Sequence, residues 1–122
     1  MEPALMIKTS LVLLTITALG GVAMAVIRLG RSVNPPSWLA MVHGLLAGAG
    51  LTLLLYAYFT VGLPTMACWA LLLFLAAAAG GVLLNLGYHL KGALLPKSIV
   101  VVHAGVAVVA YLLLLVAVLG KA

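Results

Sequence analysis

A chain of 122 residues that is 67% hydrophobic and 6% charged is not a soluble globular domain, which carries roughly 25% charged residues and about 45–50% apolar ones. Six Lys and Arg stand against a single acid, Glu2, for a formal charge of +5, so paired-carboxylate acid/base chemistry, acidic Ca²⁺ or Mg²⁺ cages and carboxylate-driven proton transport are all excluded. The lone cysteine, Cys68, excludes an intrachain disulfide and any CxxC or zinc-ribbon site. The cations punctuate apolar runs instead of clustering on a water-exposed face, which is a membrane pattern and not a nucleic-acid footprint.

Four apolar stretches follow one another. The first runs from about Leu5 to Leu29 and ends at Gly30, Asn34, Pro35 and Pro36; the second runs from about Trp38 to Thr60 and ends at Gly62 and Pro64. The third spans about Met66 to Leu90 and ends at Gly92 and Pro96, and the fourth spans about Lys97 to Leu119. Each exceeds the ~20 residues that carry a helix across a hydrocarbon core. None shows the alternation of a barrel strand, so helix is the state that satisfies the backbone in lipid. The connections are short, which makes consecutive helices antiparallel neighbours. The expected fold is an all-α integral membrane protein: one domain over residues 1–122, four transmembrane helices in an up-down bundle.

Lys8, the apolar run after it and the small residues Ala23-Met24-Ala25 imitate a cleavable signal peptide. An internal repeat argues against that reading. Shifting the chain by 60 positions lays His43 on His103, Pro36 on Pro96, Arg31 on Lys91, and Gly20-Gly21-Val22 on Gly80-Gly81-Val82, without a gap. Leu and Ala coincide freely in such a composition; aligned rare residues do not. The chain is therefore read as two tandem two-helix repeats, about 5–60 and about 65–120. A two-helix unit returns to its starting side, so the halves are parallel repeats about an axis along the membrane normal.

Arg28, Arg31, Lys91 and Lys97 mark the first and third loops, whereas Lys8, Lys121 and Glu2 lie at the other end, four positive charges against a net one. This bias puts the two basic loops in the cytoplasm and both termini outside, as in a bacterial inner membrane. Trp38 and Tyr88 at one end, with Tyr56, Tyr58, Phe59 and Trp69 at the other, are positioned as interfacial aromatic belts. The basic residues also suit anionic lipid headgroups.

His43 and His103 each lie seven residues after a proline, roughly 9–10 Å into a helix at 1.5 Å per residue. Ionisable groups at such depth mark functional sites facing the bundle interior. The face around His43 carries Ala40, Ala47 and Gly50, and that around His103 carries Val100, Ala107 and Ala110. Small residues let helices approach closely, as Gly44 and Gly48 also do, which suits a scaffold or homo-oligomer; they equally leave a slot beside an imidazole, which Gly20-Gly21 and Gly80-Gly81 would widen. Two imidazoles related by a two-fold axis suit haem, whose iron takes axial ligands on opposite faces. Arg28, Arg31, Lys91 and Lys97 are then candidates for its propionates, and Asn85 for a hydrogen bond to an imidazole or a propionate. The competing reading is that both histidines bond to carbonyls or to each other and pin the repeats together, or handle protons. Another metal is a third, with copper the best suited and Met24 and Met41 on hand.

His89, without a repeat partner, reads as an interfacial residue snorkelling towards headgroups. Tyr111, Thr9, Ser10, Thr15, Thr17 and Thr52 are expected to bond to helix carbonyls, and Cys68 to pack as an inert small group.

In topology, and in its paired helix histidines His43 and His103, the chain resembles the four-helix b-type cytochromes of bacterial inner membranes. That resemblance implies haem b and electron transport. Members that carry electrons across the membrane hold two haems at different depths, whereas all three histidines here lie toward the basic loops. It therefore implies one haem between His43 and His103, exchanging electrons on one side with quinone or a partner membrane subunit, or sensing haem. The alternative is a non-catalytic accessory or scaffold subunit of a membrane complex; transport by a four-helix dimer lacks the intramembrane carboxylate.

Overall fold

A computed structural model describes residues 2–120, all of whose regular structure is helical. Helix α1 spans Pro3–Gly30, α2 Ser37–Thr60, α3 Thr65–Gly87 and α4 Lys97–Gly120, with a 3₁₀ turn at His89–Lys91 after α3. All four α-helices are long and apolar enough to cross a membrane, the signature of an integral membrane protein. Lys121 lies outside the described residues.

Proline sets the start of every helix. Pro3 is the first residue of α1, and Pro36, Pro64 and Pro96 immediately precede the other three. A missing N–H costs nothing there, because the first four N–H groups have no acceptor within the helix. The proline carbonyls still serve, accepting from Ala40, Cys68 and Val100 respectively. At the other ends, Gly62 (φ +80°) and Gly92 (φ +71°) take left-handed conformations that a side chain would strain. The third helix is shorter than its apolar run: it yields at Gly87 to the 3₁₀ turn, closed by Gly92 N–H on the His89 carbonyl.

α1 packs chiefly on α2 and α3 on α4, with smaller α1–α4 and α2–α3 contacts. Two apolar clusters result. The larger, towards the termini, holds Leu14, Leu51, Leu54, Ala70, Phe74 and Leu114; the smaller, towards the basic loops, holds Leu84, Leu95 and Val100, with Tyr88 against it. Tyr88 is thus partly buried against this cluster, whereas Trp38, Tyr56, Tyr58, Phe59 and Trp69 are exposed as expected.

Candidate functional site: a facing histidine pair

Between the two clusters, small residues replace leucine. On α1 the chain passes from Leu14 through Thr17, Gly20 and Gly21 to Ala25; on α3 it passes from Phe74 through Ala77, Gly80 and Gly81 to Leu84. Into this layer α2 and α4 each project one imidazole. The His43 and His103 rings lie with centres 6.3 Å apart and planes at 74°.

Each ring is held the same way. Nδ1 of His43 lies 2.8 Å from the Thr17 carbonyl oxygen on α1, and Nδ1 of His103 lies 2.7 Å from the Ala77 carbonyl oxygen on α3. A carbonyl only accepts, so Nδ1 carries the proton in both rings; in the neutral imidazole Nε2 is then left with its lone pair. Both acceptor carbonyls lie 26 residues before their histidine and three before a Gly-Gly pair.

The glycines explain how an imidazole reaches a carbonyl already inside a helix. A Cβ on Gly21 would stand 2.9 Å from His43 Cε1, and one on Gly81 would stand 3.2 Å from His103 Cε1. These positions therefore seat the imidazoles themselves, a different role from the cofactor slot expected of them. Gly44 and Gly48, by contrast, are exposed and meet nothing.

The remaining expected site residues separate by environment. Arg28 is buried, donating from Nε to the Leu95 carbonyl (2.8 Å) and from Nη1 to the Arg31 carbonyl (3.0 Å). Arg31, Lys91 and Lys97 are exposed. Asn85 is half-buried and is the Nδ1 partner of neither histidine, since backbone carbonyls fill that position. His89 sits in the 3₁₀ turn beyond α3.

The sequence reading missed Asn34. Its Nδ2 donates to the Ala93 carbonyl (2.8 Å) and its Oδ1 accepts from Leu95 N–H (2.9 Å), clamping the first loop to the third. Thr15, Thr17 and Thr52 bond back to carbonyls four residues earlier, as expected. Ser10 instead crosses to the Gly50 carbonyl on α2 (2.8 Å), and Tyr111 pairs with Thr15 Oγ1 (2.8 Å), not with a carbonyl. Thr15 donates to Leu11, so the Tyr111 hydroxyl donates in that pair. Cys68 is half-buried with Sγ 3.7 Å from the Leu63 carbonyl.

Could the pair hold a metal? An imidazole nitrogen lies about 2.0–2.1 Å from a bound first-row ion and the ring centre a further ~1.1 Å back, so two rings across one ion stand about 6–6.5 Å apart. The observed separation of centres is within that range. Among the described residues no group of three or more His, Cys, Asp or Glu comes together, and Met41 is 66% exposed. Copper therefore finds no third ligand from Met41.

No family model, no curated protein and no solved structure matches this chain. The geometry of the pair carries the functional reading.

Proposed function

We propose that this is a small b-type cytochrome-like membrane protein binding one haem b between His43 and His103, for electron transfer or haem-linked sensing near the basic loops. The observation that carries this is the close pair itself: one imidazole from each of two helices, edge-on with 6.3 Å between centres, each Nδ1 engaged by a backbone carbonyl. A ring nitrogen bonded to a carbonyl fixes the tautomer and the ring angle. When bound, haem supplies a one-electron redox centre. The chain's own residues do the rest. His43 and His103 bind, the Thr17 and Ala77 carbonyls orient them, and the flanking apolar clusters exclude water. The cations at the same end, with Asn85, are the candidates for neutralising propionates.

Recurrence of the same carbonyl, glycine and histidine contacts sixty residues apart supports the finer parts of the proposal. These are tandem parallel repeats, an up-down course and one ligand from each repeat. The loop charges support cytoplasmic basic loops in a bacterial inner membrane. Quinone or a partner membrane subunit is the proposed electron partner.

The test is an absorbance spectrum of the purified protein, oxidised and reduced. A Soret band is expected, and His43→Ala and His103→Ala should each abolish it. A colourless preparation from cells supplied with haem overturns the proposal. One observation favours a second reading, a non-catalytic accessory or scaffold subunit: each imidazole already ties two helices together, α2 to α1 and α4 to α3. That reading expects no colour, and retention of a partner complex by both histidine variants.

A further inference from the structure

Arg28 poses a problem that its protein neighbours do not solve. The residue is 7% exposed, yet the only acidic side chain in the sequence, Glu2, lies before the start of α1, 26 residues from it. A guanidinium offers five N–H donors and stays protonated. Two are spent, one each on the Leu95 and Arg31 carbonyls. Neutral carbonyls satisfy donors but leave the charge itself without a counter-ion, and a buried charge is retained only when it is paired. Among the described residues Nη2 has no acceptor and no buried side-chain nitrogen lacks a partner, which places Nη2 at the surface of the protein.

What lies on that surface follows from position. Arg28 is two residues from the end of α1, about 3 Å of helix rise, and so belongs at the headgroup level of a spanning helix. The loops beside it present exposed Arg31, Lys91 and Lys97 interleaved with exposed Leu29, Val33, Leu90 and Leu94. This is the chemistry of a lipid at the interface: an oxyanion beside cations, with apolar side chains for the upper acyl chain.

We propose that Arg28 is the receptor for the phosphodiester of one membrane phospholipid, its free Nη2 bonding the phosphate while Nε and Nη1 hold the loops. The guanidinium fork suits phosphate oxygens, and the two carbonyl bonds fix its direction. This assigns Arg28 to lipid and leaves Arg31, Lys91 and Lys97 as the propionate candidates, so a propionate at Arg28 is an outcome that the test must separate.

The test is native mass spectrometry of the full chain in a phosphate-free sugar detergent. It is titrated with phosphatidylglycerol and, separately, with a galactosyl diacylglycerol of the same acyl chains. Wild-type protein should hold one phosphatidylglycerol at least tenfold more tightly than the galactolipid. Arg28→Gln should erase that preference, Arg28→Lys should retain part of it, and Lys8→Gln, an exposed cation at the opposite end of α1, should leave it intact. Equal affinity of wild-type protein for the two lipids overturns the proposal without reference to any variant. A preference that survives Arg28→Gln but falls with Arg31→Gln also overturns it, assigning the lipid to the exposed cations. Loss of the preference only in haem-loaded protein overturns it too, since a propionate would then be the counter-ion.

Discussion

The seat of each imidazole is set by the absence of one atom. Gly21→Ala would put a methyl 2.9 Å from His43 Cε1, and Gly81→Ala one 3.2 Å from His103 Cε1. The first contact is closer than side chains tolerate and the second needs a shift of a few tenths of an ångström. Gly21→Ala is therefore expected to destabilise the protein by about 1–3 kcal/mol and Gly81→Ala by less than about 1.5 kcal/mol, as overpacking does. Unfolding in detergent measures the order, and equal effects would contradict it. At Tyr111, Tyr111→Phe removes one donor from Thr15. Such interhelix bonds average only about 0.6 kcal/mol in a membrane, so a loss near that value is expected, read by the same unfolding curves. His43 and His103 were legible in the sequence because ionisable residues are so scarce. The carbonyls that orient them were not, since every residue has a carbonyl and nothing in its identity says which one is reached.

Among the elements, the two basic loops are joined more firmly than their composition implies. Asn34 acts as both donor and acceptor to the Ala93 to Leu95 segment, and Arg28 adds a bond to the Leu95 carbonyl. Asn34→Ala should cost about 0.5–1.5 kcal/mol by removing one exposed and one part-buried hydrogen bond. It should also speed exchange of the Leu95 amide hydrogen. Asn34→Asp keeps the acceptor and should preserve protection of that amide while losing the bond to Ala93. Equal exchange in both variants would mean that Asn34 does not hold this loop. The helix boundaries themselves were largely legible, because proline marks each start and glycine with positive φ follows two of the ends. The last turn of the third apolar run was not. Hydropathy continues to Leu90 while the backbone leaves the α-helix at Gly87, and apolarity measures solvent preference without specifying the hydrogen-bond pattern.

Across the whole molecule, the histidine layer lies between two apolar clusters, nearer the basic loops. A single pair at a single depth, with His89 in the turn beyond α3, sets the stoichiometry of the proposed function. One haem per chain is expected from the pyridine haemochrome assay against protein mass, and a value near two would contradict the site described. The four helices are apolar on all sides, so the core is marked less by hydrophobicity than by size. Leucine and phenylalanine fill the cluster near the termini, and glycine and alanine admit the imidazoles.

The sequence alone determined that the chain is helical, that it has four segments able to span a membrane, and at what depth the two histidines lie. Those properties depend on length, local backbone chemistry and transfer of side chains from water, each additive along the chain. Which face of each helix turns inward, which carbonyl receives each imidazole, and why Arg28 is buried while Arg31, Lys91 and Lys97 are exposed were decided only by the tertiary structure. In a helix apolar all round, lipid and protein interior are equivalent solvents. Close packing and hydrogen bonds between helices then make the choice, and both depend on contacts between residues far apart in sequence.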